Sequence, residues 1–579
     1  MRFFRSSVGW RRSLRVRAAL LLALMPLASF ASDTTWTGGS DTTWSNNSNW
    51  TGNKPGANDN VLLSQSFTNQ PNLTGNTTAG GIWVTGSIGQ NTTISGSSVL
   101  TLSNNTINGT ANLGILIGNA NSFTLTINAP LKIGNAQTWT NSSANLLTVG
   151  AVDLNGKALT FNSTGNTSLT GAVSSSGSGS ITMSGSGILT LSGTNTYTGG
   201  TTISGGTVVV NSAASLGATS GGTSLNAGTL EVAAGFSTSR VYTLGSSSST
   251  FKIDPSQTFT VTSAIGGASG TLNKTGAGTM VLSGLNTYLG GTNINAGTLQ
   301  LNNASALSSA GTISFGGGTL QYSASNTVDY SARFSVAASQ ACSIDTNSQN
   351  VTFATALTSA GGSLTKAGAG TLALNGTNTF TGATTINGGT LLAAGLVGSA
   401  LGSTSAIVVN AGGTLQLGAS NQINNSATVT LAGGMIAKGN FTEGSTSGIG
   451  WGALTLSASG SHVDFGTGTV GILTFASLDP STFTLVIDNW TGTAHTLGTG
   501  STDRLIFDSD QSSNLSAFSF TGYGAGAMQF NLGGGYWEVV AVPEPSDWIS
   551  PAFAVVTVAG LHLHRRNRGS RGRKLQSVR

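Results

Sequence analysis

The sequence predicts an all-β chain organised by an internal repeat, and three observations lead there. Apolar residues make up 38% of the chain while Gly alone contributes 84 of 579 residues, a mix too hydrophobic for a flexible linker and too rich in Gly, Thr, Ser and Asn for helices. Short runs such as Gly187-Ile188-Leu189-Thr190-Leu191 and Gly206-Thr207-Val208-Val209-Val210 have strand length and β-branched content. A segment that starts at Gly185 returns at Gly276 and again at Gly368, after 91 and then 92 residues.

Residues 1–31 read as a signal peptide. Residues 1–17 hold six arginines and no acid, residues 18–30 are apolar, and Ser29 and Ala31 supply the small residues that a signal peptidase requires. The pair Arg11-Arg12 lacks the surroundings of a twin-arginine signal, and no cysteine follows the apolar run to accept a lipid. The general export route is therefore expected, with a mature chain starting near Ser32.

Residues 32–70 carry Trp36, Trp44 and Trp50 together with Asn49, Lys54, Pro55 and Asp59. These rings could stack on sugars, or they could cover the exposed first rung of a stacked structure as an N-terminal cap, which is preferred.

Residues 71–450 contain the repeat, at about 185–217, 276–308 and 368–400. Leu189 and Leu191, Met280 and Leu282, and Leu372 and Leu374 take equivalent alternate positions and are expected inside, with Thr190, Val281 and Ala373 facing out. The same period of two recurs in Leu230-Glu231-Val232, Leu299-Gln300-Leu301 and Leu415-Gln416-Leu417. Gly199-Gly200 and Gly290-Gly291 are expected at corners with positive φ, and Asn195, Asn286 and Asn378 as turn formers. Lys274 and Lys366 occupy equivalent sites where the first copy has Met183, and are read as exposed positions tolerant of change.

These copies, with their Asn-Thr-Tyr or Asn-Thr-Phe cores and following glycines, resemble the autotransporter-associated β-strand repeat. The resemblance implies a right-handed parallel β-helix (solenoid) with end caps, as in bacterial surface proteins. The Trp-Gly-Gly, Trp-Ser and Asn-Trp arrangement of residues 36–50 is similar to the start of many proteins with this repeat.

Residues 451–542 are expected to form a C-terminal β cap, with longer strands at 482–488 and 504–507. Asp503, Asp508 and Asp510 around Arg504 could gather a calcium ion, but their spacing is not that of a ligand loop, so no metal site is assigned. Residues 543–579 comprise Pro543, Glu544 and Pro545, an apolar run at 548–564, and the basic residues Arg565, Arg566 and Arg568. Seventeen residues of helix reach roughly 25 Å, the lower limit of a transmembrane span, and the positive cluster should stay cytoplasmic. This tail resembles a PEP-CTERM sorting signal, which implies an exosortase-type membrane protease as partner. It also implies an inner-membrane-anchored precursor in a Gram-negative bacterium, released to the cell surface or extracellular matrix. Typical autotransporters carry a translocator barrel after such repeats; here the resemblance leads to the expectation that this tail serves as the export device instead.

Charge and chemistry narrow the function. Six of 23 Lys and Arg lie in residues 1–17 and seven after Leu563, which leaves ten against 18 acids and a middle near −8. The high isoelectric point belongs to the ends, and nucleic acid is rejected as a partner. The lone Cys342 is read as a small buried hydrophobe. The Gly466-Thr467-Gly468-Thr469-Val470-Gly471 run is followed by strand-like Ile472-Leu473-Thr474-Phe475 instead of a helix, so no cofactor is expected. His462 and His495 lack an evident nucleophile or second ligand, and no catalytic residue is assigned. The expectation is a structural or adhesin-like surface protein, not an enzyme, with extracellular polysaccharide as candidate partner. The alternative is a polysaccharide-active lyase or hydrolase on the same β-helix.

Overall fold

The computed structural model describes residues 32–544 apart from 87, 104, 120–122, 396–399, 447–449 and 469. Ser29, Ala31, Pro545, the apolar run and Arg565, Arg566 and Arg568 lie outside the described residues.

Alternating Leu, Val, Ile and Thr runs, each too short to bury a face alone, stack on their neighbours as a parallel β-solenoid of about 19 turns. Partners follow one another coil by coil: Leu169 pairs with Leu191, Leu191 with Val210, Val210 with Val232 and Val232 with Ile253. Among the described residues four sheets of 12 strands and one of five result. Among the described residues there is no α-helix, and none long and apolar enough to cross a membrane.

The inward assignments hold. Leu189, Leu191, Met280, Leu282, Leu372 and Leu374 are fully buried, each contributing roughly 1.5–3 kcal/mol. Thr190 and Ala373 are partly exposed on the other face, whereas Val281, in the same register, is covered. Gly200 has φ +82°, as expected of a corner. Gly199, Gly290 and Gly291 do not take positive φ. At Gly199 a Cβ would lie 2.2 Å from the Ser178 carbonyl of the preceding coil, and at Gly290 2.3 Å from that of Gly270. Close approach of two backbones, not handedness, requires glycine there.

Both ends are closed. Trp36, Trp44 and Trp50 pack on one another with centroids 4.8–6.3 Å apart, and all three are buried. Asn49 braces the loop around them, its Oδ1 accepting from the Ser40 and Asp41 N–H groups. No ring face is left for a sugar. At the other end the strands Gly524–Gly533 and Tyr536–Val542 form an antiparallel hairpin. It pairs with Phe518–Phe520 on one side and Arg504–Phe507 on the other, so neither strand of the hairpin is left as a free edge.

Leu191→Asp places a carboxylate between Leu169 and Val210 in a dry column. We expect a lower melting temperature and a reduced far-UV β signal; an unchanged melt would contradict the inward register.

Candidate functional surface

Lys274 and Lys366 are buried, which corrects the reading of exposed sites. Each stands in an inward column, Lys274 between Phe251 and Ile294 and Lys366 between Ile344 and Ile386, as Met183 stands between Phe161 and Ile203. The signal was their parity, two residues after the inward Leu272 and Leu364. Lys274 Nζ donates to the carbonyls of Thr275 (2.9 Å), Gly276 (2.8 Å) and Ala296 (3.1 Å). Lys366 Nζ donates to those of Ala367 (2.9 Å), Gly368 (2.7 Å) and Gly388 (3.0 Å). Gly276 and Gly368 have φ near +70°, whereas Gly185 beside Met183 does not take positive φ, so the ammonium accompanies the left-handed turn. Burial pushes both ammonium groups down to about 8.

Two arginines serve carbonyl clusters of the same kind. The Arg240 guanidinium donates to the carbonyls of Gly217, Ala218 and Gly221, and that of Arg333 to Ser308, Ala310 and Gly311.

The recurring asparagines of the repeat are braces across coils, more than turn formers. Asn195 accepts from the Val173 N–H (2.7 Å) and donates to the Ser215 carbonyl (2.5 Å). Asn286 joins Ile265 to Ala306, and Asn378 joins Leu357 to Ala400, in the same way. The neighbouring Tyr197 and Tyr288 are buried, with hydroxyls 2.7 and 2.8 Å from Thr201 and Thr292; where Phe380 replaces them, Thr384 turns to Thr404 at 3.1 Å.

Of the three C-terminal aspartates, Asp503 is used inside the protein, while Asp508 and Asp510 are exposed. Asp503 is buried with its carboxylate 3.3 Å from Lys438 Nζ, and it accepts from the Thr491 hydroxyl (2.7 Å). Burial pushes both partners toward their neutral forms. Asp510 accepts from Gln529 (2.5 Å) on the surface. Among the described residues no three His, Cys, Asp or Glu side chains gather closely enough to hold a metal. His462 does have a partner, Asp488, at 2.7 Å. Thr521 donates to the other oxygen of Asp488 (2.6 Å) and not to the ring, so the three are not arranged as nucleophile, base and orienting acid. Cys342 is buried, which pushes its thiol up. Gly466 and Gly468 belong to a connection that leads into the strand Ile472–Phe475, with no helix to receive a phosphate. Pro543 and Glu544 follow directly on the closing strand.

What remains outside is a set of polar columns. On one sheet Thr138, Thr160, Thr182, Thr202, Ser224 and Thr243 pair in sequence. On another, Thr258, Thr279, Thr298, Thr319, Ser343, Thr365 and Thr385 do so.

Three segments, 181–210, 272–301 and 364–393, match the Passenger-associated-transport-repeat family. Each begins with the strand that carries Met183, Lys274 or Lys366 and runs through four strands. A stretch of 138 residues is 36% identical to the adhesin BmaC autotransporter of Brucella suis biovar 1 (strain 1330), covering 23% of this chain and 4% of that protein. No solved structure matches the chain.

Two outcomes follow from the braces. Asn286→Leu strips a buried N–H and a buried carbonyl of their partners, at roughly 1–3 kcal/mol each, and should lower the melting temperature more than Asn302→Leu on the surface. For the lysines the folded pKa lies below the ordinary 10.5, so the unfolded chain binds more protons above pH 8 and stability rises toward pH 10.5. Lys274→Met with Lys366→Met should remove that rise in a melting series across this window.

Proposed function

We propose that the chain is an exported, surface-displayed adhesin-like β-solenoid that associates with extracellular polysaccharide. The observation that carries this is the combination of three passenger-type repeats with outer faces built as long polar columns. Binding would come from many weak contacts along a stiff rod. The partly matching adhesin supports the same class, within the 23% of this chain that it covers.

For delivery, residues 1–31 would be removed by signal peptidase. Pro543, Glu544 and Pro545, the apolar run and Arg565, Arg566 and Arg568 would hold the chain at the inner membrane until an exosortase-type protease acts. The polysaccharide-lyase alternative needs an accessible Lys or Arg base among carboxylates. Burial of Lys274, Lys366, Lys438 and Arg240 speaks against it.

The intact mass of protein recovered from fractionated cells tests delivery. A surface product that starts near Ser32 and ends within residues 543–546 is expected. A full-length chain kept in the inner membrane would mean an ordinary tail anchor.

A further inference from the structure

The cations of the solenoid have been drawn inward, and this decides what its outer faces can bind. Of the ten Lys and Arg between the two ends, Arg240, Lys274, Lys366 and Lys438 are buried. Arg333 is bound to carbonyls and Arg504 to Glu538 (2.7 Å). Lys132 and Lys252 lie beside Asp153 (3.9 Å) and Glu231 (2.9 Å). Among the described residues only Lys54 and Lys157 are left without an acidic or carbonyl partner for the ammonium. An anionic polymer would therefore meet a surface of net negative charge with almost no counter-charge to recognise it.

One face has the opposite character. The column Thr138, Thr160, Thr182, Thr202, Ser224 and Thr243 is flanked two residues on by Thr140, Asn162, Ser184, Ser204 and Asn226, and neither column contains a charge. The six hydroxyls of the first column bond to no protein group among the described residues. Leu113 ends the column on one side and Gly266 on the other. Parallel strands set its rungs ~4.8 Å apart, so six rungs span about 24 Å. Branching at Cβ holds each Thr hydroxyl in few rotamers, and each hydroxyl both donates and accepts. Neither row contains an aromatic side chain, so contact along these two rows is hydrogen bonding and not ring stacking.

We infer that this face binds a neutral polysaccharide lying along the solenoid axis, its hydroxyls exchanging hydrogen bonds with successive rungs. The inference rests on the adhesin-like reading and adds to it the class of ligand and the face. The second long column is the internal control, because its flanking positions include Val281, Asp345 and Ala367 and so do not continue a neutral polar surface.

The test is co-sedimentation of the purified full chain with dextran and a β-glucan on one side and alginate and polygalacturonate on the other. Retention on a neutral polymer, unchanged between about 0.1 and 1 M salt, is expected. Thr160→Val, Thr182→Val and Thr202→Val together should weaken it at least about tenfold with an unchanged melt, since valine keeps the shape and strand preference. Thr298→Val, Thr319→Val and Thr365→Val together should leave it intact. If the first triple variant unfolds, Thr182→Glu reads the same face with one change. Preference for the acidic polymers would overturn the neutral ligand while leaving an adhesin. Neutral binding indifferent to both Thr182 variants would overturn the face. Binding to neither class would sink the polysaccharide partner itself.

Discussion

A solenoid that stacks parallel coils must satisfy the peptide groups that its corners turn toward a dry interior. Along the strands each N–H and C=O meets the next coil, but at a corner the ladder lapses, and an unpaired buried peptide group costs about as much as a lost hydrogen bond. This chain answers with side chains sized to the deficit. Asn195, Asn286 and Asn378 each offer one acceptor and one donor, standing in for a peptide between the coil before and the coil after. Lys274 and Lys366 offer three donors where a left-handed glycine leaves three carbonyls converging. Glu443 does the converse, taking the N–H groups of Gln422 and Ile423 and the indole of Trp451.

How far this was legible depends on the range of each interaction. Strand alternation is local, so Leu189, Leu191, Met280 and Leu374 could be placed inside from their spacing alone. The lysines were legible by the same rule. Lys274 and Lys366 share the parity of Leu272 and Leu364, yet the ordinary preference of Lys for water outweighed it. Register decided against composition because the carbonyl cluster replaces the lost water. The asparagine braces were hidden, since their partners lie some 20 residues away on either side and no local pattern names them. The pairing of Lys438 with Asp503 and of His462 with Asp488 crosses still more chain. The closing hairpin was expected only as β structure; its antiparallel turn against Arg504–Phe507 depends on where the coil happens to end.

Internal bracing sets the charge that is left on the outer faces. A cation that caps a corner adds nothing to the surface, and with four of ten fully buried the outer faces are left mainly to Thr, Ser, Asn and a surplus of acids. Uncharged hydroxyl columns are thus a by-product of how the corners are held, and they also suit a strand surface, where β-branched Thr packs well. What raises one column above a mere strand preference is its flank: Thr140, Asn162, Ser204 and Asn226 keep the second row polar and neutral, whereas the row beside Thr258 to Thr385 does not.

A stack of parallel coils also has to stop growing. It ends in strands whose free edges would pair with another molecule, and here the hairpin folds back so that Val542 pairs with Gly524 and its own edges are paired. Pro543 comes next, and without an N–H it cannot extend that ladder. The last residue able to donate before the proline, Val542, is thus also the last residue of the cap. Every pair of the closing hairpin lies within residues 524–542, before that proline.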